Sequence, residues 1–294
     1  MAENFADRLT AAVAKKGSPV CVGIDPSFAK LPPELKKGDE PAAIERFSLA
    51  VIEAVAAAVP AVKPQIAYFE RYGAAGVAAC ERVISAARKA GLLVILDAKR
   101  NDIGSTAAEY AAGWLGRNDS ADALTVNGYL GADGIKPFLD VAGPAGKGIF
   151  VLVRTSNPSA KDIQDFADAA GVKLFQRLAE QVAALGGAPA LVGESGYSCV
   201  GAVVGATYPA EAAMLRKLMP RQIFLVPGYG VQGGTAADAA AAFKPDGTGA
   251  IVNASRSVLY AFAEAKYAGK GWRDAIAAAA GDFAADIRAA VKRT

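Results

Sequence analysis

Eight short apolar runs recur along this 294-residue chain, and each is followed by a segment with helical patterning. Continuous apolar runs mark strands buried on both faces, and parallel strands need crossover connections, usually helical. Eight such βα units, with no linker long or biased enough to divide them, close into a parallel barrel. The expected fold class is therefore α/β: a (β/α)8 TIM barrel spanning residues 1–294 as a single domain. An N-terminal helix precedes it and further helices finish the chain. The length suits one such barrel.

In chain order the expected strands cover residues 19–25, 61–66, 92–96, 123–126, 148–154, 200–206, 222–226 and 249–253. Helices are expected at about residues 42–59, 71–90, 132–141, 164–185 and 209–219, with polar loops at 31–41 and 157–171. Phe5, Leu9 and Val13 recur every four residues, as on an amphipathic helix. Thr106, with Glu109 three residues later, reads as a capping box opening the third helix.

Composition excludes several chemistries. The chain has no histidine, which removes Ser-His-Asp and Cys-His catalysis and histidine-ligated metals. Acid–base work then falls to carboxylates, lysines, tyrosines or cysteines. The three cysteines, Cys21, Cys80 and Cys199, are far apart and form no C-x-x-C pair. That argues against a disulfide framework or thiolate zinc site and for a reducing compartment. A net charge of +3 with no block of like charges gives no sign of a nucleic-acid or membrane surface. The start of the chain lacks a secretory apolar core, and the longest apolar run, residues 49–62, contains Glu53 and Pro60. A cytoplasmic protein is expected.

The chemistry concentrates at strand ends. Residues 92–110, LLVILDAKRNDIGSTAAEY, pass abruptly from a buried strand into charge and then into a helix. Alternation along the strand points Asp97 and Lys99 the same way, with Asp102 in the loop beyond. Asp25 ends the first strand, Lys63 lies within the second, Thr155 and Ser156 follow the fifth, and Arg256 follows the eighth. In a barrel these positions converge on one mouth. After the seventh strand, Gly228-x-Gly230-x-x-Gly233 fits a dinucleotide fingerprint, but it lies in the seventh unit and Asp246 is a poor match for the ribose acid. Gly-rich backbone there, including Gly233 and Gly234, is instead the usual phosphate cradle of such barrels. Gln232 and Arg256 can add donors, Arg256 bidentately.

Together DAKRNDI, the acid ending strand one, Lys63, PGYGVQGG and the final Ser255-Arg256 pair resemble the orotidine 5′-phosphate decarboxylase family, in its longer bacterial branch. The resemblance runs from about residue 20 to 260. It implies that Asp97 faces the substrate carboxylate and that Lys99 protonates C6 of the pyrimidine. Lys63 and Asp102 would complete a Lys-Asp-Lys-Asp network, with Asp102 and Thr106 supplied by the other subunit of a homodimer. Asp25 and Lys63 would bind ribose hydroxyls, and Ser156 (or its neighbour Thr155) the pyrimidine edge. Gln232, Gly233, Gly234, Ser255 and Arg256 would hold the phosphate. The substrate implied is orotidine 5′-phosphate and the product UMP, with no metal and no cofactor. Asn253-Ala254-Ser255-Arg256 stands where a Gly-Arg pair is common in the family. Two alternatives stay open: a magnesium-dependent sugar-phosphate enzyme sharing D-x-K-x-x-D, and a non-catalytic phosphate-ligand-binding barrel.

Overall fold

The computed structural model describes residues 2–230 and 233–292. Eight parallel strands close on themselves in sequence order: β1 Val20–Ile24, β2 Ala61–Pro64, β3 Leu93–Arg100, β4 Ala123–Asn127, β5 Gly148–Arg154, β6 Ser198–Val204, β7 Gln222–Val226 and β8 Ala250–Ala254. β8 pairs with β1, so no strand edge is left open. Val94, Ile95, Leu96, Val126, Val151, Phe224 and Val252 are fully buried, as strands between a barrel interior and a helical shell require.

Both ends of the chain pack onto the barrel. Helix Phe5–Lys16 starts at Asn4, whose side chain accepts the Ala6 amide, and stops at Gly17 in the left-handed region. Its Phe5 ring meets Phe150 of β5 edge-on at 5.9 Å, and Gly148 has no side chain where that ring lies. Phe5 and Leu9 are buried and Val13 packs against the core, so the expected apolar face is the one used. The last helix, Trp272–Val291, buries Ala275, Ile276, Ala279, Ala280, Phe283, Ala284 and Ile287, a helical stripe. No helix among the described residues is long and apolar enough to cross a membrane.

Two local expectations need correction, whereas the helix expected at about 71–90 is present as Gly73–Lys89, preceded by a short helical turn, Ala67–Glu70, and opening where Gly73 takes a φ of 58°. The helix expected at 164–185 begins at Leu174, after a short turn Lys161–Gln164. Between them Asp168 accepts the Ala170 and Val172 amides, and these bonds hold the backbone in a loop. Thr106 is not a helix cap. Helix Gly104–Leu115 opens two residues earlier, after an extended Ile103, leaving Thr106 exposed within its first turn.

Candidate active site

The strand ends deliver Asp25, Lys63, Asp97, Lys99, Ser156, Ser255 and Arg256 to one cavity of about 630 Å³ at the C-terminal mouth of the barrel. Its volume lies in the usual range for small-molecule sites.

Asp97 is the hub. Lys63 Nζ donates to its Oδ2 at 2.7 Å, and Lys99 Nζ donates to its Oδ1 at 2.6 Å. The Thr125 hydroxyl donates to the same Oδ1 at 2.9 Å. Lys63 is 5% exposed and Asp97 8%, whereas the Lys99 side chain is 48% exposed and opens into the cavity. Burial disfavours the Asp97 carboxylate, but the ammonium groups of Lys63 and Lys99 outweigh it and hold the carboxyl well below its ordinary range. Burial likewise works against the Lys63 charge, and Asp97 and then Asp25 reverse it, raising Lys63 above its ordinary value. The result is an ionised carboxylate gripping two cations, one buried and one presented to a ligand.

Local backbone places Lys99. The pairing of β3 with β4 shifts register between Leu96 and Arg100, and within this irregularity Lys99 has φ 46°, in the left-handed region. The Thr125 hydroxyl oxygen accepts both the Ala98 and Lys99 amides, at 3.0 and 2.9 Å. Strained backbone of this kind persists only where its surroundings over-determine it.

On the β1 side, Asp25 Oδ1 is buried without a protein partner among the described residues, as is Asn253 Oδ1 on β8. Both residues line the cavity, and each oxygen can accept from a ligand hydroxyl or amide. The Asp25 carbonyl accepts from Tyr260 Oη at 2.9 Å, fixing the loop that carries it. Gly23 faces Lys63 across the β1–β2 pair, and a Cβ there would lie 1.9 Å from Ser255 Oγ. Glycine is what lets the strand-eight end close onto strand one.

Arg256, just beyond β8, stands exposed at the rim, and Ser255, Gly228 and Tyr229 line the cavity beside it. Gly233 and Gly234 do not line it. Their amides donate to the Gly230 and Gly228 carbonyls, closing the turn, and Gly234 borders an adjoining surface groove. Gln232 lies outside the described residues. Asp102 and Thr106 also stand away from the cavity of their own chain, with Asp102 Oδ1 accepting the Ile103 amide at 2.8 Å. Thr125 and Asn253 were not anticipated from the sequence. A polar residue inside an otherwise apolar strand was the available signal for each.

A closed parallel barrel with ionisable groups gathered at its C-terminal mouth defines an enzyme scaffold for a small anionic substrate. Residues 18–270 match the Orotidine 5'-phosphate decarboxylase / HUMPS family, and the chain belongs to it. An orotidine 5′-phosphate decarboxylase of Rhodopirellula baltica is 45% identical over 293 residues, covering 94% of this chain and 96% of that protein. One from Deinococcus radiodurans is 44% identical over 261 residues, covering 89% and 91%. The structure of Leishmania donovani OMP decarboxylase superposes with a TM-score of 0.77 at 33% identity, covering 97% of this chain and 98% of that one.

Proposed function

We propose that this chain is a carboxy-lyase converting orotidine 5′-phosphate to UMP and CO2 in pyrimidine biosynthesis, without metal or cofactor. The observation that carries the reading is Asp97 held at 2.7 and 2.6 Å between Lys63 and Lys99, all three lining the cavity and Lys99 the more exposed of the two lysines.

Breaking the C6–carboxylate bond releases CO2 and leaves the electron pair on C6, where no π system can spread it. A fixed ammonium in a site emptied of water stabilises that charge strongly. Lys99 supplies the field and then the proton to C6, and is reprotonated from solvent. Asp97 keeps Lys63 charged, orients Lys99 and opposes the substrate carboxylate, favouring its departure. Asp25 and Lys63 bind the ribose hydroxyls, and Ser156 meets the pyrimidine edge. Arg256 and Ser255 hold the phosphate, with Gln232 on the turn that Gly233 and Gly234 close.

Asp102 and Thr106 reach the site of a second copy in a homodimer, completing the alternating charges there. Exposed Ile103, Tyr110, Tyr129 and Leu130 support that reading. Leu130 lies close to Asp102, since Gly134 sits against both the Leu130 side chain and the Asp102 carbonyl. The proposed setting is the cytoplasm, and the whole chain serves as one domain.

The test is the fall in orotidine 5′-phosphate absorbance on adding purified protein, with and without EDTA. Rapid loss indifferent to EDTA supports the reading. Loss abolished by EDTA would favour the magnesium-dependent chemistry of related sugar-phosphate enzymes, and nucleotide binding without turnover would favour a ligand sensor.

A further inference from the structure

We propose that Arg154 is a positioning residue that sets the Ser156 segment against the base of the nucleotide, an inference resting on the decarboxylase reading above. Arg154 ends β5, and its side chain is 1% exposed. A guanidinium this buried is costly unless its donors and its faces are matched. Here they are. Nε donates to Glu211 Oε2 at 2.6 Å and Nη1 pairs with Asp165 Oδ1 at 2.9 Å. Its Cζ lies 4.1 Å from the Tyr208 ring centroid and 4.9 Å from that of Phe175. Asp165 and Phe175 follow β5, while Tyr208 and Glu211 follow β6. One cation therefore gathers two neighbouring connections at the rim.

The link to the cavity is Gln164, the residue before Asp165. Its Oε1 accepts the Thr155 amide at 3.0 Å and lies 3.4 Å from Arg154 Nη1. Its Nε2 donates to the Thr155 hydroxyl at 2.7 Å, and that hydroxyl donates in turn to Asn157 Oδ1 at 2.7 Å. Thr155 is thus held by backbone and side chain together, which fixes the direction in which the chain enters Ser156. The same arrangement engages the Thr155 hydroxyl within the protein.

A second clamp comes from β6. The Gly205 amide donates to the Arg154 carbonyl at 2.8 Å, and a Cβ on Gly205 would stand 3.0 Å from Ser156 Cβ. Ser156 is seated against bare backbone on one side and steered by Thr155 on the other. The first restraint runs through the Arg154 side chain, and the second through the backbone pairing of β5 with β6 at the same residue. Arg256 and Asp25, which serve the phosphate and ribose, lie on other strands. The restraint therefore acts on the base end of the ligand alone.

The test is titration of the full-length protein with UMP and, separately, with ribose 5-phosphate, alongside decarboxylation kinetics. Gln164→Ala cuts the link without burying a charge. It is expected to weaken UMP about tenfold and raise KM for orotidine 5′-phosphate, while leaving ribose 5-phosphate within about twofold of wild type. Arg154→Lys keeps the charge but loses the planar fork, and is expected to show the same selectivity with a larger loss. If Arg154→Lys does not fold, Gln164→Ala still decides. Equal weakening of both ligands in Gln164→Ala, or no change in either, would overturn the inference. Failure of the wild-type protein to bind UMP or turn over would instead overturn the decarboxylase reading itself.

Discussion

The hydroxyl of Thr125 accepts the amide of Lys99 at 2.9 Å, at the one described non-glycine residue with a left-handed φ. That backbone costs about 1–3 kcal/mol wherever it occurs. The same hydroxyl donates to Asp97, so a single oxygen couples the placement of the lysine to that of the carboxylate it grips.

Thr125→Val keeps the shape and removes the oxygen. It orphans the Ala98 and Lys99 amides and is expected to cost about 1–3 kcal/mol of stability, with a fall in kcat from a displaced Lys99. Thr125→Ser should restore both. Urea denaturation and turnover of the pair check this, and a valine variant indistinguishable from wild type would contradict it.

Asp97 makes the protein's stability depend on acid. Its folded pKa lies below the ordinary 3.8, so its contribution is complete above about pH 4 and is lost as pH falls further. Asp97→Ala also strands the buried Lys63 ammonium, at a cost of about 3–5 kcal/mol at pH 7. Denaturation at pH 7 and pH 3.5 should show the gap between wild type and variant narrowing at the lower pH. A gap that stays constant would contradict the assignment.

Much of this site is legible in the chain because a buried strand that stops in charge has few explanations. Asp97, Lys99, Asp25 and Arg256 announce themselves in that way. Thr125 does not, since one threonine in ALTVN reads equally well as a β-branched strand filler. Nor does the left-handed Lys99, because lysine has no preference for that conformation and tertiary contacts impose it. Thr106 and Glu109 match a capping box, yet the chain enters the helix earlier, at Gly104. Arg154 and Gln164 act through partners brought together by folding, which no local pattern displays.

Burial pushes the thiols of Cys21 and Cys80 up to about 12 and that of Cys199 up to about 11. The thiolate is the reactive form, so the native protein is expected to resist a thiol reagent at pH 8, and to react at all three cysteines in urea. Rapid labelling of the folded protein would contradict this.

A shared site predicts complementation. Lys99→Ala and Asp102→Asn homodimers should each be nearly inactive. In a mixed dimer one site regains both residues, so re-equilibrated equal mixtures should recover about a quarter of wild-type activity. No recovery, with mixed dimers demonstrated, would place Asp102 outside the neighbouring site.

In the proposed reaction Lys99 stabilises and protonates the C6 carbanion. The most direct test of that role is decarboxylation by Lys99→Ala at saturating orotidine 5′-phosphate, with UMP binding measured on the same preparation. UMP is expected still to bind while turnover falls by at least about a thousandfold, as for loss of a group acting on transition-state charge. Near-normal turnover by that variant would contradict it.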